Sequence, residues 1–508
     1  MDNKDQEVRD PSTNSKGAWS EENVGAKDSG YVVGAEIDDP DAGLSEEERA
    51  ENDRKLLRKI DMKLIPWLCL LYLVSFLDRT NIGNAKIDGL QDDLRLTDGQ
   101  YNATLTIFFV SYSVLEPVTN VLLKKMRPSF FIPLIYGTCL TCMGLVTNFA
   151  GLMTARWFLG VTEAGLFPGV GYFLSCWYRR CEFGIRMAIF FSAAAFAGSF
   201  GGLLAAAIAK MGGVGGRPGW AWIFILEGLA TILIGIASFW MVQDFPDEAT
   251  FLSVDDRKRV IRRLAADKQS SAEHEDFKMD YFWASVKDWK TYTSAIIYMG
   301  CDGALYAFSL FVPTIINELV RYSASRAQLL SVPPYAVAAV LTITVGYIAD
   351  RTRQRGLCNI AVSVLGVVGF SMLLGSQNPT VKYAGTFLGA MGIYPAISNT
   401  ISWASNNTEG VYKRGVTLGF VIGWGNLQGC VTSNIYRGQD RPEFYPGHST
   451  VLGYLLVFQL GGSVVQYLLL RRENRKRLCG ERDHWIQGLD AKQVEMRGDM
   501  RPDFIYTL

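Results

Sequence analysis

Apolar residues in this chain gather into blocks of about 20, the length a helix needs to cross a ~30 Å hydrocarbon core. A soluble protein of this size would spread them periodically over one face of each helix instead. The blocks lie near 62–86, 102–123, 130–148, 151–177, 186–210, 221–242, 293–316, 327–349, 358–376, 381–404, 415–435 and 449–470. Inside a bilayer every backbone N–H and C=O has to be paired within the segment, which a helix achieves alone. The fold class that follows is all-α integral membrane, with twelve transmembrane helices, and the lipid bilayer is the chain's first partner.

The polar stretches give the layout. Residues 1–55 form an acidic, Ser/Gly/Asn-rich N-terminal tail that cannot bury enough surface to order itself. No cleavable signal peptide is expected before the first block, and Lys55, Arg58, Lys59 and Lys63 are expected to anchor its start on the cytoplasmic side. The longest polar break, 243–290, divides the blocks six and six. It separates a bundle over 56–242 from a second over 291–470, and 471–508 follow as a polar tail. Within the break, Arg257, Lys258, Arg259, Arg262 and Arg263 mark a basic helix capped by Ser253, read as a solvated linker. Basic residues also collect at alternate loops: Lys124, Lys125 and Arg127; Arg179, Arg180 and Arg186; Arg351, Arg353 and Arg355; Lys413 and Arg414; and Arg471 through Arg477. The opposite loops are thin in charge, so both termini are expected in the cytoplasm, most simply at the plasma membrane.

Composition narrows the chemistry. The 50 basic and 50 acidic residues are segregated by location, so zero net charge says little, and no nucleic-acid partner is expected. The nine cysteines fall mostly within apolar blocks and read as small hydrophobes. His274, His448 and His484 are the chain's three histidines and form no catalytic or metal pattern. An enzyme, a cofactor and a metal site are therefore not expected.

What stands out is charge where hydrocarbon should be. Ala155–Pro168 places Arg156 and Glu163 in an apolar run. Ionised side chains there cost roughly 2.5–3.5 kcal/mol each on the gentler scales, so they usually face a bundle interior or a watery path. Seven residues apart, they share a face but sit about 10 Å apart along the axis, poorly placed for a direct bridge. The alternative is a snorkelling Arg156 and a structural Glu163. Leu64–Leu77 is too short to span by itself, so the first helix should continue through Asp78 and Arg79 to about Ile87.

Six plus six helices is the pattern of a transporter made of two parallel halves with its site between them. Gly346 to Gly356, with Asp350, Arg351 and Arg355, resembles the loop motif of the major facilitator superfamily; the matching place in the first half, Asn120–Pro128, keeps basic residues but lacks the aspartate. Further stretches resemble the fungal allantoate-permease branch of the anion:cation symporter family. They are Phe76 to Ala85, Arg156 to Pro168 with Ser175 to Tyr178, Trp222 to Gly228, Gln328 to Tyr335, Trp403 to Thr408, Gly425 to Gly429 and Tyr445 to His448.

The resemblance implies the major facilitator fold and proton-driven uptake of a small organic anion such as a carboxylated vitamin, ureide or sugar acid. Arg79 is then the anion clamp, with Arg156 beside it, because a guanidinium fork matches a carboxylate. Asp78 and Glu163 are the expected proton carriers. Asn399, Trp403 and Asn426 are expected to touch substrate, with Tyr306 and Tyr335 as weaker candidates; interhelical hydrogen bonding is the alternative for each. Gly346, Asp350, Arg351, Arg355 and Gly356 would gate. Glu227 reads as packing and capping, Glu116 and Asp302 have no assigned role, and a monomer is the default. A non-transporting nutrient sensor and a drug:proton antiporter are the alternatives.

Overall fold

The chain turns helical at residue 46 for a local reason. Ser45 accepts from the Glu48 amide while the Glu48 carboxylate accepts from the Ser45 amide, and Glu46 and Glu47 add negative charge to the same first turn. The helix so started, α1 (Glu46–Ala85), is 40 residues long, about twice what a bilayer needs. It therefore begins outside the membrane and carries Asp78 and Arg79 inside it, as the short apolar stretch required. A π turn over Lys86–Leu90 follows, with Gly89 at φ 98°.

The computed structural model describes residues 40–125, 137–243, 245–246, 249–266, 279–320, 324–490, 493–494 and 497–508. The first half continues with α2 (Asp98–Lys125), α3 (Phe149–Glu163), α4 (Leu166–Ser175), α5 (Arg180–Ile208) and α6 (Gly219–Met241). Two helices, α7 (Val254–Ala266) and α8 (Met279–Val286), lie in the connection. The second half contains α9 (Trp289–Val320), α10 (Ala324–Thr352), α11 (Arg355–Gly375), α12 (Pro379–Asn406), α13 (Val411–Asn426), α14 (Gln428–Thr432), α15 (Tyr445–Gly453) and α16 (Gly462–Leu478). No strand occurs among the described residues, and seven helices are long and apolar enough to cross a bilayer unaided. With the broken and partly described spans, the fold is twelve helices in two bundles of six. The third span, expected at 130–148, is helical over 137–143. Its start, Arg127, the N-terminal tail to residue 39 and His274 lie outside the described residues.

Two spans read as continuous are broken. The fourth stops at Glu163 and restarts at Leu166; the eleventh stops at Asn426 and restarts at Gln428. Each break falls immediately after a polar residue of the site described below. Glycine marks both places, but glycine is common in membrane helices and gave no warning.

The halves meet along α5 against α10, α1 against α9, and α2 against α13 and α14. Gly202 allows the first of these contacts: a Cβ there would lie 2.6 Å from the Gln328 carbonyl oxygen. At the end of the molecule carrying α7, the basic row does not simply face solvent. Arg259 and Arg262 bind the buried Asp41 at 3.0 and 2.7 Å, and Arg263 binds Glu182 at 2.6 Å.

The C-terminal segment is also tied down at this end. Arg477 donates to the carbonyls of Asp499, Arg501 and Phe504 and to the Tyr506 hydroxyl, the last at 2.6 Å. Asn474 and Asn407 each pair twice with the backbone, at Tyr506 and Thr507 respectively. Asp499 bridges Lys290 and Lys413 at 2.5 and 2.7 Å. Tyr506, an isolated aromatic in the sequence, is buried by these contacts.

Candidate functional site

Neighbours on a helix point about 100° apart, and α1 uses that angle to send two adjacent charges to different places. Arg79 points to the seam between the halves. Its Nη2 donates to Glu163 Oε1 at 2.9 Å and its Nη1 to the Tyr306 hydroxyl of α9 at 2.7 Å. The guanidinium also lies 4.9 Å from the ring centre of Tyr112 and 5.4 Å from that of Phe108, close enough for cation–π attraction. Glu163 Oε1 accepts a second, short bond from the Ser75 hydroxyl, while Oε2 has no partner.

From Tyr306 the polar contacts continue. Its hydroxyl donates to Asn426 Oδ1 at 2.6 Å, and Asn426 Nδ2 donates to Glu116 Oε2 at 2.9 Å. Glu163, Arg79, Tyr306, Asn426 and Glu116 thus form one hydrogen-bonded chain that crosses the seam twice. Asp302, one turn before Tyr306 on α9, is buried, with Oδ2 unpartnered. Phe109 of α2 packs against Tyr306 across the seam, with ring centroids 4.4 Å apart and planes tilted by 57°.

Arg156 makes no direct ion pair among the described residues, although Glu163 and Asp78 are its nearest acids. It is 1% exposed, its Nε and Nη2 have no hydrogen-bond partner, and the Phe108 ring centre lies 5.9 Å from its guanidinium. Glu163 bonds to Arg79 across the helices rather than to Arg156 along its own, in keeping with the 10 Å their spacing implies. A buried guanidinium with unsatisfied donors is costly, so this is a position where an anionic group would be strongly held.

Asp78 turns the other way, into the first bundle. Its Oδ2 accepts from Thr231 of α6 at 3.0 Å, and one turn on, Asn81 donates to Glu227 Oε2 at 2.5 Å. Glu227, which the sequence suggested was packing or capping, caps nothing and joins Asp78 in this polar layer. Asn399 and Trp403 are placed away from Arg79. Asn399 accepts from Arg355 and donates to the Arg355 carbonyl and to Asn359; Trp403 donates to the Thr507 carbonyl at 2.9 Å.

The loop motif lies at the α7 end. Asp350 accepts from the Ile185 backbone of the opposite half at 2.6 Å and forms a short ion pair with Arg355. Arg351 donates to Tyr347 on its own helix at 2.9 Å. A Cβ on Gly346 would meet Ala188 Cβ at 2.4 Å, so glycine permits the close crossing here. Gly356 packs under the Trp403 ring. The structure therefore brings together Arg79, Glu163 and Asn426, sets Asp78 and Arg156 beside them within the first bundle, and puts Asn399, Trp403 and the loop motif nearer the α7 end. Among the described residues no group of three or more His, Cys, Asp or Glu could hold a metal ion.

Comparison with known proteins is consistent across sequence and structure. The family model described as Major Facilitator Superfamily matches residues 68–433. An uncharacterized transporter of Schizosaccharomyces pombe is 34% identical, over 90% of this chain and 94% of its own. The high-affinity nicotinic acid transporter of Saccharomyces cerevisiae is 33% identical, over 89% of this chain and 85% of its own. Among solved structures, a bacterial homologue of the human lysosomal transporter Spinster, inward-facing and unoccupied, superposes with TM-score 0.59 at 14% identity, covering 80% of this chain and 95% of that one.

Proposed function

Because the chain belongs to the Major Facilitator Superfamily, whose members carry small molecules across membranes, we propose that it imports a small organic anion by proton-driven alternating access. The anion is a carboxylate, and the chain belongs to the anion:cation symporter branch that its allantoate-permease-like stretches resemble. It works as a monomer in the plasma membrane with both termini in the cytoplasm. A relative named for nicotinic acid, itself a carboxylate, supports that substrate class.

The observation that carries this reading is Arg79, a fork of donors held at the seam by one carboxylate and one hydroxyl from opposite halves. An arriving carboxylate competes with Glu163 for that fork and meets the unsatisfied donors of Arg156. Glu163, released from its arginine while still buried, then takes a proton from outside. One anion and one proton enter together, so the centre keeps its net charge while the Arg79–Glu163 pair is undone, and the halves can rock. Asn426 and Tyr306 present hydrogen bonds to the substrate from the second half. Asn399 and Trp403 brace the α7 end through Arg355 and Thr507, and Asp350 with Arg355 ties it to Ile185.

The test is uptake of radiolabelled nicotinate, pantothenate, biotin, a ureide and a sugar acid in cells expressing the full chain, with and without a proton gradient. Accumulation of at least one acid, collapsing with the gradient and with Arg79→Ala, is the expected result. If Glu163→Gln still concentrates the acid in response to pH, the role given to Glu163 is wrong. Uptake indifferent to the gradient would remove proton coupling altogether.

A further inference from the structure

The polar layer between α1 and α6 holds more acceptors than donors. The two bonds are cross-paired, Asp78 with Thr231 and Asn81 with Glu227, as two helices running in opposite directions require. All four side chains are buried. Three oxygens remain without a hydrogen-bond partner: Asp78 Oδ1, Asn81 Oδ1 and Glu227 Oε1. No arginine hydrogen-bonds to these oxygens: Arg79 is turned to the seam, and Arg156, the nearest cation to Asp78, bonds to neither acid. The charged groups nearest Asp78 are Glu227 from α6 and Glu163 and Arg156 from α3; Glu227 bonds to Asn81, one turn from Asp78 on α1.

Two carboxylates buried about a turn apart in one layer, with no cation bonded to either, disfavour double ionisation, and a proton on either supplies a missing donor. We infer that Asp78 and Glu227 form a shared proton-binding site inside the first bundle, with Asn81 and Thr231 as its positioning residues. The inference rests on the proton-driven reading above and adds a member to it. The proton comes from water on one side and returns to water on the other, and no bond beyond O–H is made or broken. Anion and proton then occupy separate places linked by one peptide unit, because Asp78 and Arg79 are neighbours. A proton that reshapes the α1–α6 contact therefore acts one residue away from the arginine.

Infrared difference spectroscopy on the full-length protein in lipid vesicles, titrated from about pH 5 to about pH 8, reads protonated carboxyl groups without needing any substrate. The expected result is loss of one protonated-carboxyl signal in Glu227→Gln, loss of the same signal in Asp78→Asn, and no further loss in the double variant. Thr231→Ala, a milder change, should shift the midpoint of that signal by about one pH unit. A parent-like spectrum in Glu227→Gln, or additive losses in the double variant, would overturn the shared site. So would a signal that follows sodium concentration rather than pH. Because the readout is independent of uptake, a chain that carries no anion yet shows the paired signal refutes the transport reading alone. A chain that accumulates anions with a silent Glu227 refutes only this inference.

Discussion

The two halves solve the same burial problem with different chemistry. At membrane depth the first half buries Asp78, Arg79, Glu116, Arg156, Glu163 and Glu227, whereas the second, among the described residues, sets only Asp302 at the same level and otherwise offers Tyr306 and Asn426. Its other buried charges, such as Lys290, Arg355 and Lys413, sit at helix ends and are paired there. Charge is expensive to bury and cheap to switch by moving a proton, while neutral hydrogen bonds cost less and discriminate by shape. On the reading proposed above, the contrast puts the proton carrier and the anion clamp in one half and neutral hydrogen bonding to the substrate in the other.

The sharpest way to break that contrast is Arg79→Ala. Removing one partner of a buried pair leaves Glu163 uncompensated, at a cost of roughly 3–5 kcal/mol. Uptake should fall by more than about a hundredfold, and Arg79→Lys should fail to restore it because a point charge cannot serve Glu163 and Tyr306 together. Full uptake by the lysine variant would remove the case for a fork.

Tyr306→Phe tests the second half. It deletes the one hydroxyl joining Arg79 to Asn426 and leaves both in place. The loss of about 1–2 kcal/mol should appear as a five- to thirtyfold rise in KM with little change in pH dependence. A collapse of coupling instead would mean that the second half also handles ions.

Asp302→Asn is the converse. If this lone acid acts only as a hydrogen-bonding group, the neutral isostere should leave uptake within about twofold and its pH profile unmoved.

The smallest effect concerns the docked tail. Burial pushes the Asp288 carboxyl up, but the Lys290 and Lys413 ammonium groups outweigh it and hold it below the ordinary carboxylate range. A carboxyl depressed in the folded state adds stability above its unfolded value, near pH 4, and loses it as pH falls through the folded value. Hydrogen exchange at the Tyr506 and Thr507 amides, corrected for intrinsic rate, should therefore be flat from about pH 7 to about pH 5 and rise only in stronger acid.

The fold and the charged centre were legible because both rest on rules that act within one segment. Twenty apolar residues must be helical, and an arginine such as Arg79 within them must face something polar. Partners were less legible. Glu227 sits between aromatic and aliphatic neighbours that suggest packing, and nothing local shows that Asn81, 146 residues earlier, lies across from it. Glu116 and Tyr306 gained their places only when the halves came together. Asn399 and Trp403 lie in a span with the right composition, yet their partners are Arg355, Asn359 and Thr507 rather than Arg79, which composition cannot show. The breaks after Glu163 and Asn426 escaped notice because glycine signals too weakly in a membrane helix.

One feature at the α7 end bears on motion. The bonds that moor the final segment, from Arg477, Asn474, Asn407, Trp403, Lys290 and Lys413, all come from the second half. Across the gap, Phe504, Ile505 and Thr507 border the same hollow as Cys181 of the first half. The segment is thus a bolt fastened to one leaf of a double door. If the leaves swing apart as alternating access requires, the bolt would travel with the leaf that moors it, and loosening or stiffening it would change how firmly the doorway holds without touching the cargo.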